Sequence, residues 1–537
     1  MARPPRPEDL YRLRIATHPR LSSDGRHAVV TLQTVAPGFD GYRHALWLVP
    51  TDGSALPRQL TLGAKHDQHP RFSPDGRTLA FISDRRVLLE EDPKRTARTG
   101  RDPDPLDKRE DHDQVHLLRF DGGEARRLTD LPRGVDAFEW SPDGSRLVVV
   151  TASHAATRSA DDRARRIDRK READQPPPSD YRFIDRLDYM LNATGYTYDR
   201  IGHLWLVDAV SGAATRLTDA PVPDGEPAWS PDGGRIAFAS NRRRNPDLTP
   251  ERSDIHVVDV GTRSVVGVTR GPRSQFFAPA WLPDGSTIAA LGHRMEGGSG
   301  SRNDVWLFAA DGSDASPTGG RNLSARHDLM PGAGMSSDLT LGEGARLIPS
   351  PGGRWLGFSA PIDGSYELWR IAVADGALER LTEDRHSISG WDAVPIGQRT
   401  ARAKGGGRAS RIAYLRSTAT APPDLWVVDV GGAGAAKPRR LTAFNDEVLD
   451  ELELQAPVER HVTVDGRDIQ GWLIAAGDGV RPLVVQIHGG PHTLYGWSPL
   501  WEFQLLAATG MSVFYCNPRG SEGYGEAFND ANHRDWG

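Results

Sequence analysis

Residues 73–83 read SPDGRTLAFIS, and this stretch decides the fold. Proline presets φ and glycine accepts the positive φ of a tight turn, so Ser-Pro-Asp-Gly predicts a chain reversal that feeds the strand behind it. The phrase returns as SSDGRHAVVTL at 22, SPDGSRLVVVT at 141, SPDGGRIAFAS at 230, LPDGSTIAALG at 282 and SPGGRWLGFSA at 350, with a worn form, GGRASRIAYLR, at 406. A second phrase follows each: an apolar strand, a short turn and a return ending near Leu-Thr, as in LWLVPTDGSALPRQLT at 46 and LWVVDVGGAGAAKPRRLT at 425. It occurs seven times, the fifth being the clipped VWLFAADG at 305.

Four short strands per unit, repeated at a spacing of roughly 40 to 50 residues, are the pattern of a β-propeller. The expected architecture is therefore an all-β, seven-bladed β-propeller over residues 21–450. Turns at Asp24, Asp75, Asp143, Asp232, Asp284 and Gly352 are spaced unevenly, by 51, 68, 89, 52 and 68 residues, so some units carry insertions. Two of these, 88–113 and 153–180, are dense in charge and poor in apolar residues, the composition of solvated loops. The basic run RARRIDRKR has interleaved acids and no aromatics, which reads as a solvated face and not as a nucleic-acid surface. Trp47, Trp205, Trp369 and Trp426 recur at equivalent positions and are expected to pack between units.

After residue 450 the grammar changes. An alternating pair, ERHVTVDGRDIQGWLIA, leads to the apolar run PLVVQIH, a short helix WEFQLLAATG with a glycine stop, and MSVFYCNPRGSEGYG. Apolar strands separated by a helical segment predict α/β architecture with both sheet faces covered over 451–537. Residues 1–20 form an N-terminal segment expected to pack on that domain.

The totals bound the function. At 537 residues the chain exceeds one ordinary core. With 66 basic and 72 acidic side chains the net charge is −6, giving no global attraction to nucleic acid or an anionic membrane. One cysteine, Cys516, excludes an intrachain disulfide framework and a cysteine-based zinc site, and fits a reducing cytoplasm. No apolar run is long enough for a membrane span, and the first residues lack the apolar core of a signal peptide. The localisation expected is cytoplasmic. His66 with His69, and His112 with His116, have a spacing that could hold a metal on a helix, yet both pairs fall at loops or strand entrances, so no metal or cofactor is expected.

The propeller pattern followed by HGGPH at 488–492 and NPRGSEGYG at 517–525 resembles the prolyl oligopeptidase family of serine peptidases, most closely its acylaminoacyl-peptidase-like branch. The resemblance spans nearly the whole chain and implies that residues 451–537 are the N-terminal part of an α/β-hydrolase domain following the propeller. In acyl transfer, negative charge builds on the former carbonyl oxygen, and backbone N–H groups already aimed there stabilise it. The resemblance implies that Gly490 supplies one such donor, that Gly489 shapes the turn, and that His488 and Pro491 fix its direction. Asn517, Arg519 and Tyr524 are then placed at the neighbouring strand end and loop beside the site. Residues 180–205 mix arginines with tyrosines where relatives hold one terminus of a peptide, which makes Arg182, Arg186 and Tyr189 candidates for substrate binding.

The family's nucleophile lies in Gly-x-Ser-x-Gly, and no serine here has that setting. Ser299 lies in EGGSGSR, whose fifth position is Ser301, and Ser521 has the wrong glycine spacing. The expectation is a chain that carries part of an oxyanion hole, lacks the Ser-Asp-His triad and is inactive alone. Two origins differ physically: a piece of a larger enzyme whose remaining C-terminal part completes the sheet, or a product that leaves an open sheet edge. The first is favoured. The function expected of the whole is hydrolysis of short peptides by acyl-enzyme chemistry with the propeller gating access, and the alternative is a noncatalytic propeller scaffold or a decayed peptidase. Peptide specificity and oligomeric state, a homo-oligomer included, are not legible.

Overall fold

The computed structural model describes the chain apart from residues 1, 40, 64–65, 86–112, 121, 154–183, 185, 188, 193–194, 198–200, 296–299, 340–342, 397–408, 432–436, 491, 534 and 536–537. Most of both charged insertions, Arg182, Ser299 and Pro491 thus lie outside the described residues.

Up to residue 440 the chain is a succession of four-stranded antiparallel meanders. Five are separate sheets, the first built from Ile15–Leu21, His27–Val35, Tyr42–Pro50 and Arg58–Gln59. Two more, beginning at Ile348–Pro349 and at Ser387–Ile396, are joined into one eight-stranded sheet by a single parallel pair, Tyr366 with Ser387. The first strand starts at Ile15, inside the expected N-terminal segment.

Both repeated phrases have a local physical cause. In the Ser-Pro-Asp-Gly turns the serine hydroxyl donates to the aspartate (Ser73 to Asp75, 2.6 Å) and accepts the N–H of the next strand (Thr78, 3.0 Å), while Gly76 takes φ +69°. The Leu-Thr ending is a lock on the third strand. The N–H groups of Leu46, Val115, Leu204, Ile255, Leu368 and Leu425 donate to the hydroxyls of Thr61, Thr129, Thr218, Thr269, Thr382 and Thr442 at 2.9–3.0 Å. In the fifth unit Ser324 replaces threonine and takes the N–H of Val305 at 2.9 Å, which supplies the ending missing from the clipped phrase. Several of these hydroxyls donate in turn to a buried acid, Thr269 to Asp254 at 2.9 Å and Ser324 to Asp304 at 2.6 Å. Every hydroxyl in such a position satisfies a buried N–H that would otherwise be left without an acceptor.

Neighbouring units are stitched at their first strands. The indole N–H of Trp140 donates to the Arg71 carbonyl, Trp229 to Glu139 and Trp281 to Ala228, each reaching the preceding unit at 3.0–3.3 Å. The last unit meets the first: Leu21 N–H donates to Asp392 at 2.9 Å, and Arg439 donates to the Thr51 carbonyl at 2.7 Å. Four of the first strands bulge at a non-glycine residue with φ near +50° followed by proline, namely His18, His69, Glu226 and Ala278.

The last sheet is mixed, in the order Val458–Val464, Arg467–Ile474, Ser512–Cys516, Leu483–Gln486, with only the last two parallel. Asp465 and Gly466 make the hairpin turn at φ 50° and 75°. Helix Trp501–Ala508 packs Phe503 and Ala507 on Trp472, Val513 and Tyr515, and Gly510 at φ +90° ends it. The sheet rests on connections of the fifth to seventh units: Trp497 N–H donates to Gly364 at 2.9 Å, Ser336 N–H to Leu494 at 2.8 Å, and Arg385 pairs with Glu459 at 2.8 Å. The N-terminal segment joins this body too, with Arg3 bonded to Glu451 and Glu453 through the backbone and Leu13 packed with Trp501. Among the described residues no helix is long and apolar enough to cross a membrane.

Candidate active site

Strand Leu483–Gln486 pairs with Ser512–Cys516 on one side only, and it delivers the chain into the His488-Gly489-Gly490 turn. Gly490 has φ +131°, and a Cβ there would lie 2.9 Å from the His492 nitrogen and 3.1 Å from a Thr493 methyl, so only glycine fits. Gly489 differs: its φ is ordinary and a Cβ would meet no atom of the described residues within 4 Å. Neither N–H has a hydrogen-bond partner among the described residues, and both glycines are exposed.

The turn is braced by the second motif. The His488 ring reaches back to the Gly489 carbonyl through Nδ1 at 2.9 Å and to the Ser521 hydroxyl through Nε2 at 2.9 Å, and Ser521 lies 2.7 Å from the Pro518 carbonyl. Asn517, fully buried, clamps Tyr495 through both its N–H (2.7 Å) and its carbonyl (2.8 Å), and the Tyr495 ring stands edge-on to His488 at 5.1 Å. The Tyr524 hydroxyl accepts from Asn517 at 2.6 Å and donates to Gln470 at 2.5 Å, and burial pushes its pKa up. Arg519 lies outside this network, paired with Asp535 at 2.7 Å and bonded to the Ala531 carbonyl at 3.2 Å. Asn517 was expected beside the site, whereas Ser521 is the member that motif spacing did not single out for the turn; its partner His488 lies 33 residues away.

Electrostatically the brace has one unusual member. Glu522 is 5% exposed and the only described hydrogen bond to its carboxylate is from the N–H of Gly334, so burial raises its pKa to about 7. Gly334 belongs to the connection between the fifth and sixth units, and Thr493 also donates to its carbonyl at 3.0 Å. Beside it runs a cleft lined by Arg302, Asp328, Pro361, Gly523, Glu526 and Asn529. Asn529 ties the cleft to the turn, accepting from His492 at 2.9 Å and donating to the Gly300 carbonyl.

The other sequence-predicted residues lie on the third unit's insertion. Arg186 is bound to Asp247 at 3.3 Å, and Tyr189 is 37% exposed next to a short hairpin, Met190–Leu191 with Gly195–Tyr196. The structure does not bring either into contact with the glycine turn. Among the described residues there is no cluster of three or more metal-ligating side chains; His66 instead bonds the Tyr42 carbonyl, and His116 is buried with Nδ1 on the Gln114 carbonyl.

The profile of the prolyl oligopeptidase family matches residues 497–537. YuxL, an uncharacterised peptidase of Bacillus subtilis, is 30% identical over 543 residues, spanning 99% of this chain and 73% of that protein. A dipeptidyl-peptidase 5 of Porphyromonas gingivalis is 23% identical over 556 residues, spanning 99% of this chain and 70% of its own. Among solved structures, an acylaminoacyl peptidase of Pyrococcus horikoshii superposes with a TM-score of 0.70 at 18% identity, covering 96% of this chain and 67% of that one. A puromycin-hydrolysing peptidase of Mycobacterium tuberculosis gives 0.62 at 14% identity, covering 98% and 70%. At these identities the two structures speak for the fold.

Proposed function

The chain belongs to the prolyl oligopeptidase family of serine peptidases, and from that premise we propose that it forms the gating and oxyanion-binding part of an enzyme that hydrolyses short peptides. The observation that carries the reading is the state of the glycine turn. The Gly490 N–H stands just past a strand end with no partner among the described residues, and the space before Gly489 is free of atoms of the described residues within 4 Å. Such a donor, fixed before the reaction, stabilises the tetrahedral oxyanion without reorganising. The open space at Gly489 is what a scissile carbonyl requires.

In this reading the seven meanders close into a propeller, which the contacts of the last unit with the first support. The ring caps the site, admitting peptides that are short or unstructured. Arg182, Arg186 and Tyr189 on its third unit are candidates to hold a peptide end, and Arg519 and Tyr524 border the catalytic side. The rest of the hydrolase sheet joins at the free edge of Leu483–Gln486, where Leu483, Val485 and Ile487 are 56%, 53% and 74% exposed. That part supplies the serine nucleophile, the histidine that moves its proton and the aspartate that orients the histidine.

A fluorophosphonate probe tests this. The 537-residue chain alone stays unlabelled, and protein that includes the remaining sheet is labelled on a serine outside these residues. Labelling of a serine within this chain, or none in the larger protein, overturns the proposal.

A further inference from the structure

The contacts of His488 raise a question that the family reading leaves open: what sets the direction of the Gly489–Gly490 peptide? The Gly489 carbonyl can only accept, so the 2.9 Å contact with Nδ1 is a hydrogen bond when Nδ1 carries the proton. A neutral ring with its proton on Nδ1 presents a bare Nε2, and the group facing it at 2.9 Å is the Ser521 hydroxyl. That hydroxyl has one proton and two acceptors in reach, the bare Nε2 and the Pro518 carbonyl at 2.7 Å; the carbonyl is already served by the Ser521 N–H at 3.1 Å, so the proton goes to Nε2, and the full burial of Ser521 keeps water from competing for it. The ring is thus pinned at both nitrogens, with Tyr495 standing edge-on to it. Across a trans peptide the C=O and the following N–H point to opposite sides. Drawing the Gly489 carbonyl toward the imidazole therefore turns the Gly490 N–H away from the 517–524 loop and leaves it unbonded.

Resting on the reading of Gly490 as the oxyanion donor, we infer that Ser521 is a positioning residue for acyl transfer, acting through His488 to aim the Gly490 N–H. Ser521 touches no reacting atom. It holds the imidazole, and the imidazole holds the peptide. Nothing else in the described surroundings of Ser521 needs its hydroxyl, since its N–H already bonds Pro518 at 3.1 Å. A misaimed donor costs transition-state stabilisation while leaving ground-state peptide binding nearly untouched, because the scissile carbonyl carries full negative charge only in the transition state.

The test is a double-mutant cycle in the complete peptidase, with kcat and KM measured on a short chromogenic peptide. Ser521→Ala lowers kcat by about tenfold to a hundredfold, the range for a catalytic group displaced by about 1 Å, while KM changes by less than about twofold. Ser521→Thr, which keeps the hydroxyl, retains kcat, and Ser521→Cys of similar size loses it, so the comparison survives if the alanine variant does not fold. In a His488→Ala background Ser521→Ala has no further effect, because the path is already cut. An unchanged kcat in Ser521→Ala and Ser521→Cys, a change in KM alone, or effects that multiply in the double variant overturns the inference and leaves the peptidase reading standing. Absence of hydrolysis in the unsubstituted protein overturns both.

Discussion

The backbone N–H of Gly334 donates to a carboxylate oxygen of Glu522 at 2.9 Å, across the seam between the repeat units and the final sheet. The acid lies directly after Ser521, and its own N–H bonds the carbonyl of Thr493 at 3.0 Å. The repeat units and the glycine-turn sheet are therefore joined through a side chain that is nearly excluded from water and has no described cation beside it.

That burial makes the seam sensitive to pH. The pKa of Glu522 is raised from 4.5 to about 7, so the folded state holds its proton more tightly than the unfolded chain does. The stability that the neutral acid permits is full below pH 4.5 and is lost as pH rises through about 7. At about 1.4 kcal/mol per pKa unit the loss is at most about 3 kcal/mol. Glu522→Gln keeps a neutral acceptor for Gly334 and is expected to match the parent in melting temperature near pH 4.5 and to exceed it above pH 7. Melting curves that run parallel from pH 4.5 to 8 would count against this.

The two glycines of the turn separate backbone need from substrate need. Gly490→Ala places a Cβ 2.9 Å from the His492 nitrogen at φ +131°, and is expected to cost about 1–3 kcal/mol of stability together with activity. Gly489→Ala meets no atom of the described residues within 4 Å, so its melting temperature stays within the range of a neutral surface change, about 0.5 kcal/mol. Activity of the complete peptidase nevertheless falls, because the methyl occupies the space assigned to the scissile carbonyl. Calorimetry and peptide hydrolysis on the same preparations check the pair, and a fully active Gly489→Ala would contradict the assignment.

The threonine lock predicts a repeated stability effect. Thr269→Val removes the acceptor for the Ile255 N–H and a donor to buried Asp254, which should lower stability by about 1–3 kcal/mol. Thr269→Ser keeps both bonds and should lie close to the parent. Ser324→Ala in the fifth unit should behave like Thr269→Val, since Ser324 makes the same two bonds. Urea midpoints of the four proteins decide this, and equal midpoints for valine and serine at 269 would remove the lock.

Much of this was legible because its chemistry is local. Ser73, Asp75 and Gly76 form their turn within a few residues, and Asp465-Gly466 announces its hairpin, so the strands and the change of grammar near residue 450 can be read from one sequence. The HGGP turn could be placed at a strand end for the same reason. Other features depend on partners far along the chain. Trp140, Trp229 and Trp281 reach the preceding unit across 69, 90 and 53 residues, and Arg186 finds Asp247 across 61. The bulges at His18, His69, Glu226 and Ala278 set non-glycine residues at positive φ, against local preference, so propensity could not reveal them. The recurring His-Pro-Arg at 18–20 and 69–71 was their visible trace. Asn517 and Ser521 were visible as motif letters, yet their task became visible only when the fold laid the second motif against the first.

The central claim is that one main-chain N–H, that of Gly490, receives the charge of the tetrahedral intermediate. Replacing residue 490 by its α-hydroxy acid analogue, glycolic acid, in the complete peptidase removes that N–H and leaves every side chain in place. The account predicts a fall in kcat of about 100-fold to 1,000-fold with KM little changed, the loss found when an oxyanion donor is deleted. A kcat equal to that of the parent would contradict it.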